Sequence, residues 1–372
     1  MQFIDLPSQQ SKIRKRIDEK IKTVLDRGKY IMGPEVKELE EKLAEFCGAK
    51  HVISCANGTD ALLLPLMAKN ISVGDAVFVP SFTFVATAEV VSTLGATPIF
   101  VDVLKDTFNM DPESLRKAIL FAKDQKLSPK VIIPVDLFGQ PSDYDELQII
   151  ADENNLWILS DSAQGFGSTY KGKKSGTLGL VTSTSFFPAK PLGCYGDGGA
   201  VFTDNDELAE IMRSLRIHGK GTDKYDNVRI GLNSRLDTIQ AAILIEKLSI
   251  FSDEIIARNK VAYTYSKALK DIFEVPYIME DTRSVWAQYT LKTSEDKRME
   301  IMNNLKKVGI PSVVYYPTPL HLQTAYKDNP ILLQGLPESE KLSKQVFSLP
   351  MHPYLNEKDQ DMIIAQLHKY HK

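Results

Sequence analysis

The chain has 372 residues, of which 43% are hydrophobic and 25% charged, and its formal net charge is -3. That length exceeds one ordinary domain and suggests a large unit and a smaller one, each around a sizeable core. The near balance of charge excludes a strongly basic nucleic-acid face, and no apolar run approaches the roughly 18 residues of a membrane-crossing helix.

Ile13, Ile17, Ile21, Val24 and Leu25 fall on one stripe of a first helix, closed by Gly28. Gly33-Pro34 opens a second, with Val36, Leu39, Leu43 and Phe46 facing inward and Gly48 past its end. The loop between them, residues 29–34, is either a plain connector or an active-site edge in a dimer. Residues 52–54 read as a short strand that leads through Ala56-Asn57-Gly58-Thr59-Asp60 into a helix over 61–68. A strand, a small-residue turn and a helix offer free N–H groups and a positive dipole end to a phosphate. Gly58 allows close approach and Thr59 adds a hydroxyl. The same residues also suit a plain Asn-Gly turn with Thr59 as the helix cap.

Strands and helices then alternate in the βα manner. Strands are expected over 76–79, 97–101, 131–135 and 156–159. Helices run through Val91, from Asp111-Pro112 past Leu115, Ile119 and Leu120, and from Asp143. The last of these strands ends in Ser160-Asp161-Ser162-Ala163-Gln164-Gly165-Phe166-Gly167. A carboxylate just past an apolar strand belongs to the ligand-facing rim of an α/β sheet, or serves as a turn aspartate.

Strands over 182–187 and 200–203 enclose Lys190, which follows Phe186-Phe187 and precedes Gly193, Gly196, Gly198 and Gly199. Most lysines are solvated surface cations. In this apolar setting the neutral amine is favoured, and such an amine is a nucleophile toward an aldehyde. Cys47, Cys55 and Cys194 are odd in number and lack metal-type spacing, so reduced cytoplasmic thiols and no metal are expected, with Cys194 as core filler. The first residues show no basic-then-apolar leader.

A helix over 206–216 is broken by Ile217-His218-Gly219, and the polar stretch 222–228 is expected to be mobile. From Leu236, with Ile239, Ile243 and Lys247, a long helix links two domains, 1–248 and 249–372. Helices over 300–308, 338–346 and 357–369, with short strands near 289–291 and 312–314, fit a small α+β C-terminal domain.

Seven segments in one order span nearly the whole chain: 57–62, 80–84, 161–164, the run from Ser185 through Lys190 to Gly199, His218-Gly219, Asn233-Ser234-Arg235, and 316–321. Together they resemble the DegT/DnrJ/StrS family of nucleotide-sugar aminotransferases. The resemblance implies an α/β fold-type I transferase dependent on pyridoxal phosphate (PLP), aspartate aminotransferase-like. Such a fold has a large domain with a mixed, mostly parallel sheet and a smaller α+β domain. It implies PLP as cofactor, with Lys190 bonding to it and shuttling the proton, Asp161 pairing with its pyridine nitrogen and Gln164 meeting its 3-oxygen. Gly58, Thr59 and Ser185 match phosphate contacts, and Phe84 matches the aromatic that packs on the ring.

Asn233 resembles a phosphate contact from the neighbouring subunit, which implies a homodimer with shared sites. His218, Arg235, Tyr316 and His321 line up with segments near the sugar nucleotide. The implied reaction moves an amino group from L-glutamate to a nucleotide-linked keto sugar. The 3-keto position of a UDP-linked 2-acetamido uronate, for bacterial surface polysaccharide, is favoured. A dTDP-3-keto-6-deoxyhexose or a 4-keto sugar is the alternative. A PLP-binding regulator without activity is the rival of different class; Lys190 and Asp161 argue against it. Lys190 also argues against the family's dehydratase branch, which carries histidine there. Asp136 departs from the pattern, since many members have histidine at that strand end.

Overall fold

The structure, a computed structural model, describes residues 1–223 and 225–371; Lys224, inside the polar stretch 222–228, and Lys372 lie outside the described residues. Helix α1 (Leu6–Arg27) begins where Asp5 accepts the Ser8 N–H and ends at Gly28. It buries Ile13, Ile17 and Val24, whereas Leu25, expected on that stripe, is 52% exposed. One residue of an α-helix turns about 100°, so the neighbour of Val24 leaves the buried face. Helix α2 (Pro34–Cys47) opens on proline and buries Val36, Leu39 and Leu43.

Next come β1 (His51–Cys55) and α3 (Gly58–Ala68). Asn57 caps α3 by accepting the Asp60 N–H at 2.7 Å, so the helix starts at Gly58, earlier than expected, and the cap is not Thr59. Then follow β2 (Asp75–Pro80), α4 (Ala86–Thr93), β3 (Thr97–Val101), α5 (Pro112–Asp124), β4 (Ser128–Ile132), α6 (Tyr144–Asn154) and β5 (Trp157–Asp161). In α5, Leu115 and Ile119 are buried but Leu120, expected with them, is 63% exposed for the same geometric reason. Strand β4 starts and stops earlier than the expected 131–135. Pro134 has no N–H to donate, and beyond it Val135 makes only a single bridge with Asp161.

The chain continues through β6 (Thr169–Tyr170), β7 (Lys173–Lys174), β8 (Val181–Ser185), β9 (Gly199–Thr203), α7 (Asp206–Leu215) and α8 (Thr238–Leu269). The C-terminal part holds β10 (Thr282–Arg283), β11 (Tyr289–Lys292), α9 (Glu295–Lys307), α10 (Pro337–Gln345), β12 (Val346–Leu349) and α11 (Glu357–His371). Residues 312–314, expected as a strand, contribute one bridge, Val313 with Ser348. Among the described residues no helix is long and apolar enough to cross a membrane.

The main sheet has seven strands in the order β1-β9-β8-β5-β4-β2-β3, and only β9 runs antiparallel to its neighbours. Its strands are buried almost throughout, as a sheet covered by helices on both faces requires. A second core gathers the end of α8, β11, β12, α9 and α11 around Tyr265, Tyr289, Leu305, Phe347 and Ile363. Gly199 pairs with both Cys55 and Ser185, and Asp161 pairs with Ser183. The ends of β1, β8 and β5 therefore meet at one edge of the sheet. The 29–34 loop docks on the start of α8, where Thr238 donates its N–H to Tyr30 and accepts one from Gly33.

Candidate active site

At that edge Asp161 is 4% exposed. Its Oδ2 accepts a hydrogen bond from Thr87 Oγ1 at 2.8 Å, and its Oδ1 accepts the Ala163 N–H at 3.1 Å. Burial raises its pKa; the Thr87 and Ala163 hydrogen bonds and the charge of Lys190 pull the other way. Gln164, buried beside it, is held at both ends. Its Oε1 accepts the Phe138 N–H at 2.9 Å and its Nε2 donates to the Tyr316 hydroxyl at 3.1 Å. Tyr316 in turn meets the ring of Phe82 edge-on at 6.2 Å and lies 6.4 Å from that of Phe84. Phe84 is 54% exposed.

Lys190 sits in the turn after β8, its N–H donated to Phe187 at 2.9 Å. The side chain is half-buried. Burial lowers its pKa while the charge of Asp161 raises it, so the amine is partly desolvated but faces one carboxylate. The start of α3 closes on the same turn. A Cβ placed on Gly58 would lie 2.5 Å from Ser185 Cβ and 2.9 Å from its Oγ, so only glycine lets the helix end approach this closely. The first N–H groups of a helix have no intrahelical acceptor; the Asn57 side chain takes that of Asp60, and those of Gly58 and Thr59 lie at the helix end that approaches Ser185.

The other expected residues stand apart from this group. Asn233 is exposed and accepts from Arg235 Nη2 at 2.5 Å, while Arg235 is half-buried. Between them Ser234 Oγ accepts the Ala56 N–H at 3.3 Å, so the segment leans on the turn before α3. His218 is exposed, at a positive φ of 58°, with its carbonyl accepting from Asn227 Nδ2. Among the described residues no hydrogen bond or ion pair joins Asn233, Arg235 or His218 to Lys190 or Asp161. His321 is 5% exposed, with Nδ1 on Ser81 Oγ at 2.6 Å and Nε2 3.3 Å from Glu340 Oε1. It ties the residue after β2 to α10 from inside the protein. Burial lowers its pKa, and Glu340 opposes that.

Two contributors escaped the sequence reading. Thr87 is the partner of Asp161, and its signal is faint: a hydroxyl three residues past Phe84, on the face of α4 that packs toward the sheet. The backbone N–H of Phe138 orients Gln164, and no residue type encodes such a role.

PLP requires an amine for its aldehyde, a carboxylate for its ring nitrogen and an anion cradle for its phosphate. The partly desolvated Lys190, the buried Asp161 and the narrow Gly58–Ser185 approach, which a Cβ would fill, supply that donor set. The model of the DegT/DnrJ/EryC1/StrS aminotransferase family matches residues 11–368. The chain is 49% identical over 368 residues to the UDP-2-acetamido-2-deoxy-3-oxo-D-glucuronate aminotransferase of Pseudomonas aeruginosa, covering 99% of both. A DegT DnrJ EryC1 StrS aminotransferase from Brucella abortus superposes with a TM-score of 0.98 at 53% identity, over 100% of this chain and 99% of that one. NtdA from Bacillus subtilis, solved with bound cofactor PMP, superposes with a TM-score of 0.89 at 30% identity, over 99% of this chain and 83% of that one. The fold is thus that of the fold-type I PLP-dependent transferases, and the chain belongs to the DegT/DnrJ/EryC1/StrS aminotransferase family, with PLP as its cofactor.

Proposed function

We propose that this aminotransferase carries an amino group from L-glutamate to the 3-keto position of a UDP-linked 2-acetamido uronate, in the cytoplasm, for bacterial surface polysaccharide. The observation that carries the reading is the identity of 49%, over 99% of both chains, to the Pseudomonas aeruginosa enzyme named for that acceptor. Arg235 supports it. Its guanidinium has one link, to Asn233, and a buried Nε without a partner among the described residues. A planar donor of this kind suits a carboxylate, that of glutamate or of the uronate.

When bound, PLP supplies the electron sink that acidifies the carbon bearing the amino group. Lys190 Nζ would hold the cofactor at its aldehyde carbon and would move the proton during transfer. Asp161, whose charged form the Thr87 and Ala163 hydrogen bonds favour against burial, would pair with the protonated ring nitrogen. Gln164 would meet the 3-oxygen, Gly58, Thr59 and Ser185 would take the phosphate, and Phe84 would cover the ring. Asn233 and Arg235 serve the site of the partner subunit in a homodimer, which fits the exposure of Asn233 and the lack of a bond to Lys190 of the same chain. His218 borders the sugar-nucleotide side; Tyr316 and His321 shape its wall from within. The large and small domains divide near residue 248, within α8.

The deciding experiment offers UDP- and dTDP-linked keto sugars, 3-keto and 4-keto, with glutamate, and identifies the amino-sugar product by mass spectrometry and NMR. Turnover should be fastest with the UDP-linked 3-keto uronate. A preference for a dTDP-linked or 4-keto acceptor overturns the substrate assignment and leaves the aminotransferase chemistry standing.

A further inference from the structure

Beside Asp161, at the end of the neighbouring strand, stands a second carboxyl group. Asp136 follows Pro134 and Val135, and its N–H is donated to the Asp161 carbonyl at 2.9 Å. Its side chain is fully buried. Oδ1 accepts the Ser142 N–H at 3.1 Å and the Tyr144 hydroxyl at 2.8 Å, and Tyr144 also meets Ser160 Oγ at 2.5 Å. Oδ2 has no partner among the described residues, and neither has the buried hydroxyl of Ser162, which is close enough to act on the carboxyl. The acid is pressed against the turn that carries Asp161 and Gln164. A Cβ on Gly165 would lie 2.4 Å from Asp136 Cβ and 2.8 Å from Oδ2.

We propose that Asp136 is a positioning residue of the PLP site, held as the neutral acid, whose Oδ2 hydroxyl donates to Ser162 and braces from behind the turn that presents Asp161 and Gln164.

The titratable groups facing Asp136 are Asp161 from β5 and Tyr144 from α6; Lys190 lies beyond Asp161, and among the described residues no cation pairs with Asp136. An ionised oxygen without a donor in a dry interior is costly, and so is a lone buried hydroxyl. A hydrogen bond between Oδ2 and Ser162 Oγ would relieve both, and either atom can carry its proton; the adjoining Asp161 carboxyl and the lack of a cation among the described residues favour Oδ2. Two carboxyl groups at adjacent strand ends resist ionising together. Asp161, with two donors and Lys190, keeps the charge; Asp136, with no cation, keeps the proton. Burial, aided by the charge of Asp161, pushes Asp136 up to about 7 against the pull of Tyr144, Ser142 and Ser162. Neutral Asp136 leaves Asp161 as the single negative charge of the pair.

The test uses full-length, PLP-loaded protein and the variants Asp136→Asn and Ser162→Ala. Because the folded protein holds this proton to a higher pH than the unfolded chain does, the stability it contributes is full at low pH and is lost as pH rises toward about 7. The asparagine variant, neutral at every pH, should gain on wild type as pH rises from about 4 to about 7 and hold that gain near pH 8. The ratio of the unfolding constants, wild type over variant, should climb by up to about tenfold per pH unit in between. Parallel pH profiles of thermal stability overturn the proposal. Infrared difference spectra of wild type against Ser162→Ala near pH 5 give a second reading that does not depend on the asparagine variant folding. A protonated-carboxyl stretch that shifts when the Ser162 hydroxyl is lost supports it; absence of that band, or a band that does not move, overturns it.

Discussion

Thr87 Oγ1 donates to Asp161 Oδ2 at 2.8 Å, which ties the first turn of α4 to the end of β5. The carboxylate is deep in the protein, and burial alone would favour its neutral form. The hydroxyl pulls toward the charged form, as does the Ala163 N–H on the other oxygen. The site thus depends on a helix that supplies no direct contact of its own in the proposed roles.

Thr87→Val keeps the shape of the side chain and removes this donor. The pKa of Asp161 should rise, and PLP should bind about tenfold or more weakly, since a hydrogen bond to a charged group contributes about 1.5–3 kcal/mol. Thr87→Ser should recover most of the affinity. Equilibrium titration with PLP checks both. Unchanged affinity in the valine variant shows that Ala163 alone suffices.

Lys190→Ala should abolish aminotransfer while the protein still folds and binds PLP without a covalent bond. Borohydride treatment should fix the cofactor to wild type and not to the variant. Peptide mapping checks the attachment point, and reduced PLP on another lysine would rule out the role given to Lys190.

Gly58→Ala places a methyl group 2.5 Å from Ser185 Cβ. Forcing a carbon into so tight an approach costs about 1–3 kcal/mol of stability. The same shift opens the start of α3 away from Ser185, so affinity for PLP should fall by more than global stability does. Thermal unfolding with and without PLP separates the two effects. Equal losses in both would mean that Gly58 serves packing alone.

A shared site can be tested by mixing two inactive proteins, Lys190→Ala and the double variant Asn233→Ala with Arg235→Ala, under conditions of subunit exchange. A two-fold dimer contains two identical sites. If Asn233 and Arg235 serve the partner's site, each mixed dimer carries one site with both defects and one with neither, and activity returns. If each chain completes its own site, mixing restores nothing. The measurement is specific activity against mixing ratio, with exchange confirmed by mass spectrometry. An active monomer would also refute the shared site.

Sequence alone determined what acts over a few residues. Pro34 and Asp111-Pro112 start helices and Gly28 ends one, because a fixed φ, a missing N–H or a left-handed turn acts locally. The βα alternation, the family and the neighbourhood of Lys190 were legible in the same way, since each lies in a short segment. Tertiary structure alone decided which distant segments meet. Strand β9 enters antiparallel between β1 and β8 and so brings Gly58 against Ser185. The packing of α4 turns Thr87 toward Asp161, α10 carries Glu340 to His321, and α6 carries Tyr144 to Asp136. Leu25 and Leu120 show the same limit from the other side: apolar character is local, but burial depends on which face another element covers. The cause is that partners and solvent exclusion arise from contacts across the whole chain, while propensity and caps do not.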